Sequence, residues 1–147
     1  MNTAEQIDTG EGVHLAYNCD EMVRSWVSRE LDIDVGGDNF RAIGAVLDGR
    51  MIAGIVFYDY QGFMAQCSIA TIDPQWCTRS VLKSVFDYAF GHLGCKRLHG
   101  ACAKKNKKMR NLFDRLGFKY EGNARKAFDG EQDAMIYSML NNECRWT

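Results

Sequence analysis

Asp48-Gly49 stands between two apolar runs, Phe40–Leu47 and Met51–Tyr58. An Asp-Gly pair accepts positive φ at both positions, which the tight two-residue hairpin turn demands. That one dipeptide predicts an antiparallel strand pair in the middle of the chain, and everything else must pack around it. A third run, Phe63–Ile72, opens after Gln61-Gly62 and closes at Asp73-Pro74, extending the hairpin into a meander. Pro74 is the sole proline, and it removes a ladder donor where the third strand should end.

Beyond Pro74 the period changes from two to 3.6. Val81, Leu82, Val85, Phe86, Ala89, Phe90 and Leu93 fall on one helical stripe, while Lys83, Ser84, Asp87 and His92 face away. Thr78 or Ser80 is placed to cap this helix, and Gly94 to stop it. Cys95–Ala103 reads as a strand, Asn106 as the cap of a helix burying Met109, Leu112, Phe113 and Leu116, and Gly117 as its end. A strand over Phe118–Glu121, a loop through Asp129-Gly130 and a last strand over Ala134–Leu140 follow. Upstream, a short strand around Val13–Ala16 leads into a helix over Glu21–Leu31, capped by Asn18 or Asp20. Its apolar face is Met22, Val23, Trp26, Val27 and Leu31, and Gly36-Gly37 breaks the chain after it. Residues 1–11 are polar and expected to fray.

This order predicts an α/β (α+β) fold: a mixed, mostly antiparallel sheet of about seven strands, with helices on both faces. The strand–helix–strand unit in the middle should join a central parallel pair. With 147 residues, the chain is sized for one domain over its whole length. The net charge of −1 points to no global attraction for nucleic acid or an anionic membrane, so any basic site must be local. No apolar run reaches membrane-spanning length. The six cysteines include no CxxC pair and mostly lie within apolar runs, so metal ligands and a disulfide framework are not expected. A reducing cytoplasm and buried free thiols are.

The strand order resembles that of the GNAT N-acetyltransferases. Within it, Asn106-Lys-Lys-Met-Arg-Asn-Leu-Phe-Asp-Arg-Leu-Gly-Phe-Lys-Tyr-Glu-Gly122 looks like that family's Asn, short helix and Gly-Phe strand ending in Glu-Gly. The resemblance is closest to the Rim-type group that acetylates ribosomal proteins and to small bacterial and phage relatives. It implies acetyl-CoA as co-substrate and an amine acceptor: a protein N-terminus, a lysine or a small amine. It also implies a coenzyme site over Ile72, Cys77, Thr78, Arg79, Ser80, Val81 and Leu82, with Asn106 and Phe113 along the pantetheine arm. Where the family's coenzyme loop carries a Gln or Arg and then small residues, this chain has Cys77, Ser80 and Leu82. The family's usual glutamate base corresponds to Gln66, its tyrosine acid to Phe113, and the Rim-type serine to Met109.

The residues themselves leave more than one reading open. A strand ending in a turn before a helix N-terminus is an anion site in physical terms, and equally an ordinary capped helix. Glu121, Asp129 and Tyr58 are the candidate catalytic groups, and His99 reads as a sheet residue. Lys104, Lys105, Lys107, Lys108 and Arg110 form a basic run suited to a coenzyme phosphate or to solvent. No interleaved aromatics make it a nucleic-acid surface, so nucleic acid ranks last among partners. A membrane partner is not expected, and a homodimer is left open. The alternative to an enzyme is a catalytically degenerate GNAT-shaped binding or structural protein, of a kind phages encode, with Phe128, Tyr137 and Trp146 as interface candidates.

Overall fold

The computed structural model describes residues 5–8 and 12–147. Eight strands make one sheet in the order β1-β2-β3-β4-β5-β6-β8-β7. They are β1 (Glu5–Asp8), β2 (Val13–Tyr17), β3 (Phe40–Leu47), β4 (Arg50–Tyr58), β5 (Met64–Thr71), β6 (Arg97–Ala103), β7 (Lys119–Ala124) and β8 (Ala134–Leu140). Every pairing is antiparallel except β5 with β6. The sheet has one strand more than expected, because Glu5–Asp8 pairs with β2 where fraying was predicted. Asp48 and Gly49 both take positive φ, 52° and 75°, so the hairpin forms as that dipeptide dictates, with Leu47 opposite Arg50.

Helix α1 (Asp20–Leu31) covers one face and packs Val23 and Val27 against Ala42, Val56 and Ala70. Its approach depends on Gly54: a Cβ there would lie 2.7 Å from a Val27 methyl. Neither expected cap is used. Cys19 is the N-cap, with no side-chain bond, and the Asp20 carboxylate instead accepts from the Ala42 amide at 3.0 Å. Met22, assigned to the apolar face, is 56% exposed.

The other face carries α2 (Arg79–Phe86) and α3 (Lys107–Leu116) over a single core. Thr78 caps α2 by accepting from the Val81 amide at 3.4 Å. Past Phe86 the helix widens into a π-helical stretch, Asp87–His92, that the period alone did not foretell. Asn106 caps α3, its side chain accepting from the Met109 amide at 3.0 Å, and Gly117 ends the helix in the left-handed region. Tyr137 is buried, and the Trp146 indole donates to the Leu116 carbonyl at 2.8 Å, so the core claims both of these interface candidates. Cys67, Cys95 and Cys102 are buried free thiols, while Cys19, Cys77 and Cys144 are only half-buried. Among the described residues, no helix is long and apolar enough to cross a membrane.

Candidate active site

The parallel pair is short. β5 and β6 align only from Met64 with Arg97 to Cys67 with Gly100, yet β5 runs on to Thr71 and β6 to Ala103. From Ser68 and Ala101 onward the two strands have no partner in each other, and the sheet opens as a V. Gly100 sits at its apex because Phe113 of α3 occupies the space a side chain would need, with ring carbons 2.8 Å from a built Cβ.

A cavity of about 640 Å³ fills the V. Its apolar lining includes Ile69, Cys102, Met109 and Phe113. The loop between α1 and β3, from Asp32 to Gly37, and the loop between β7 and β8, from Ala127 to Gln132, both line it. Five carboxylates line it: Glu30, Asp32, Asp34, Asp59 and Asp129. No lysine, arginine or histidine does. Among the described residues, only Asp34 of these has an ion-pair partner, Arg24 at 2.8 Å. A smaller cavity of about 200 Å³ shares Glu30, Leu31, Asn106 and Met109 with the first and adds Ile72 and Lys108. There the Lys108 ammonium reaches across the V to donate to the Thr71 carbonyl at 2.8 Å.

The structure thus brings together Tyr58, Asn106, Phe113 and Asp129, with Ile72 at the adjoining mouth. Cys77, Thr78, Arg79 and Ser80 line neither cavity. The Cys77, Thr78 and Leu82 amides donate to Pro74, Trp76 and Thr78 carbonyls at 2.9 Å each. Burial pushes the Cys77 thiol up, opposed by the nearby Arg115 charge. Val81 and Leu82 are buried beneath α2, as is Trp76 in the turn before it, so the bulk at position 82 points into the core and does not block the loop.

Glu121 lies outside the cavity, on a bulge of edge strand β7. Arg97 grips it through two nitrogens at 2.6 and 3.0 Å and the Ser138 hydroxyl donates to it at 2.8 Å, which holds its carboxyl down at about 2. So weak a base takes little from an amine. Asp129 accepts from the Gln132 and Glu131 amides at 2.8 and 3.0 Å and from the Gln132 side chain at 2.9 Å, and these bonds lower its carboxyl too. His99 is held neutral by burial and by the Arg97 charge. Arginine can only donate, so the 3.1 Å contact from Arg97 makes Nδ1 the acceptor and leaves the proton on Nε2. Gln66 donates to Asp59 at 2.8 Å.

The structure adds Ser68 to the cavity and gives Phe128, an interface candidate in the sequence, a place in its lining. Ser68 lines the cavity and shares a 3.0 Å hydrogen bond with the Tyr58 hydroxyl, and Phe128 covers the cavity from the β7–β8 loop. A lone serine inside an apolar strand carries no local signal. The acid-rich stretch Glu30-Leu-Asp-Ile-Asp34 was visible, but its aim depends on where α1 docks.

A model of the acetyltransferase (GNAT) domain matches residues 11–119, most of the chain. The chain therefore belongs to the GNAT acetyltransferase family. Among solved structures it is similar to a spermidine N-acetyltransferase SpeG chimera from Vibrio cholerae and hSSAT, at 17% identity and a TM-score of 0.65, covering 89% of this chain and 97% of that one. It is also similar to a GNAT-family acetyltransferase from Bacillus anthracis, at 16% identity and a TM-score of 0.57, over 81% and 73% of the two chains. The third is the Campylobacter jejuni N-acetyltransferase PseH in complex with acetyl coenzyme A, at 14% identity and a TM-score of 0.53, over 70% and 69%. At these identities the likeness is one of fold. No curated protein matches the chain in sequence.

Proposed function

We propose that this protein transfers the acetyl group of acetyl-CoA to a primary amine on a cationic small molecule. The observation that carries this reading is the cavity in the V, lined by five carboxylates and no cation. An amine is cationic in water, and a concave wall of one sign raises its local concentration. The donor suits the other end. The apolar lining accommodates a pantetheine arm, Asn106 offers its side chain beside it, and Lys104, Lys105, Lys107 and Lys108 supply positive charge near the mouth for phosphates. The loop from Ile72 through Cys77, Thr78, Arg79 and Ser80 to the start of α2 is assigned the pyrophosphate. Several of its amides must exchange their present internal partners for phosphate oxygens. Kinship of fold with a spermidine N-acetyltransferase and with an enzyme solved with acetyl coenzyme A supports both halves.

Holding amine and thioester together supplies much of the rate in such a reaction, so the neutral Gln66 and Phe113 are compatible with activity. They also favour the second reading, a binding protein that retains the fold without turnover. Release of free coenzyme A thiol from acetyl-CoA, followed with a panel of diamines and with a zwitterionic amino acid as control, separates the two. Amine-dependent release supports the enzyme. Coenzyme binding without release, seen as a stabilisation of about 2.7 kcal/mol at about one hundred times Kd, supports the binding protein. Neither response would remove the acyl-carrier reading altogether.

A further inference from the structure

We infer that Tyr58 and Ser68 form a two-hydroxyl relay that carries the proton of the attacking amine to the departing sulfur. The inference rests on the acetyltransferase reading and adds the residues that move the proton. Ser68 is the first residue of β5 beyond its pairing with β6, so its side chain stands at the apex of the V. Tyr58 ends β4, and its hydroxyl lies 3.0 Å from Ser68 Oγ. Both line the large cavity, and no other residue lining it carries a hydroxyl.

Several other groups in the cavity are engaged or do not titrate, and Glu30, Asp32 and Asp34 come from the α1 end of its lining, where the acceptor's charge is assigned. Phe113, Met109 and Gln66 cannot titrate. Asp129 is engaged by its own loop and Asp59 by Gln66. Burial pushes the Cys102 thiol up to about 11, which leaves it protonated and a poor nucleophile. The Tyr58 phenol is also raised, first by burial, so it remains neutral at physiological pH. A neutral phenol beside a neutral serine is a poor base and a poor acid separately. As a chain the two need not ionise.

The bookkeeping closes. The free amine attacks the thioester carbon, forming the C–N bond and an adduct with a cationic nitrogen and an oxyanion. As the carbonyl re-forms and the C–S bond breaks, nitrogen gives its proton to one hydroxyl. That hydroxyl passes its own proton to the second, and the second protonates sulfur. Nitrogen has lost one proton, sulfur has gained one, and both hydroxyls are restored. Nitrogen and sulfur flank the same carbon in the adduct, a gap that a hydrogen-bonded hydroxyl pair can bridge.

Tyr58→Phe, Ser68→Ala and the double variant test this in the full chain, with acetyl-CoA and a straight-chain diamine. Each single change should lower kcat by about 100-fold, the lower end of what positioned proton transfer contributes, with coenzyme A affinity unchanged. The double variant should be no slower than either single one, because a broken chain cannot be broken twice. In the variants kcat should rise with pH, as hydroxide takes over the proton that the relay no longer carries. A merely structural hydrogen bond predicts something else: each single change strands a polar group and lowers Tm, while the double change restores both Tm and kcat. Restored kcat in the double variant, or unchanged kcat in Tyr58→Phe, would overturn the relay while leaving the acetyltransferase intact. A wild-type protein that binds coenzyme A but releases no thiol would overturn both.

Discussion

The two sides of the V differ in charge, although α3 and the α1–β3 loop lie close across it. Glu30, Asp32 and Asp34 at the end of α1, with Asp59 after β4 and Asp129 from the β7–β8 loop, line the cavity without a cation among the lining residues. On the α3 side, Lys104, Lys105, Lys107 and Lys108 cluster within five positions, and Lys108 lines the mouth. A net charge of −1 over the whole chain conceals this division. The lesson is that overall balance speaks to solubility and long-range attraction, whereas a site is defined by where the fold separates the signs. One side would suit a cation and the other an anion, as the proposed reaction between an amine and a phosphate-bearing donor requires.

The largest effect should come from erasing the acidic side. Asp32 and Asp59 both hold positive φ, 54° and 51°, a conformation that asparagine tolerates well. The triple variant Glu30→Gln, Asp32→Asn, Asp59→Asn therefore removes charge with little strain. It should lower kcat/KM for a dicationic amine by about 100-fold, within the range that charge focusing provides, and leave KM for acetyl-CoA unaltered. The wild-type advantage should also shrink as salt rises, since partly exposed charges are screened over about 8–10 Å at physiological ionic strength. Equal losses for donor and acceptor would dissolve the division between the two sides.

Next comes the apex, which belongs to both sides. In Gly100→Ala the new methyl meets the Phe113 ring at 2.8 Å, and that ring is held by Phe118 and Tyr137 at centroid distances of 5.0 and 4.8 Å. The overpacking should cost about 1–3 kcal/mol, read as a Tm lower by several degrees, and should impair both substrates together. An unchanged Tm would show that α3 can shift freely against the sheet.

On the basic side, Lys108→Met keeps the aliphatic stem and loses the cation. Coenzyme A affinity should fall about fivefold, which corresponds to about 1 kcal/mol for one exposed ion pair, with no change for the amine. Calorimetric titration decides it. Tighter coenzyme binding would mean instead that the Lys108 bridge to Thr71 obstructs the mouth.

How much of this was legible beforehand follows from what is local. The hairpin at Asp48-Gly49, α3 between Asn106 and Gly117, and β8 over Ala134–Leu140 formed where expected, because turn chemistry, capping and period act over a few residues. The extra strand at Glu5–Asp8 pairs with β2 only a few residues later, and its mostly polar residues lack the apolar alternation that would mark it. The site shows the same division. Tyr58, Asn106, Phe113 and Asp129 were named and do share one cavity. Ser68 was missed because its meaning comes from where β5 and β6 part, which depends on the packing of Phe113 against Gly100. The loop over Cys77–Ser80 is a coenzyme site by family resemblance and by its helix N-terminus, and that it lines neither cavity is tertiary information.

The smallest effect contrasts a paired carboxylate with the cavity's acids. Glu121 is bound on both oxygens, by Arg97 and Ser138, and its carboxyl is held at about 2 against an ordinary 4.5. A carboxyl depressed in the folded state contributes stability that is fully present above about 4.5 and is lost as pH falls toward 2. The side chain is 41% exposed, so solvent screening keeps the contribution below about 1 kcal/mol. Glu121→Gln should therefore lower Tm slightly at neutral pH and not at all near pH 2, flattening the acid limb of the stability curve. Acetyl transfer at neutral pH should be unchanged, because Glu121 lies outside the cavity. A collapse of kcat in this variant, with Tm preserved, would move the catalytic proton to the β7 edge and leave the acidic cavity with binding alone.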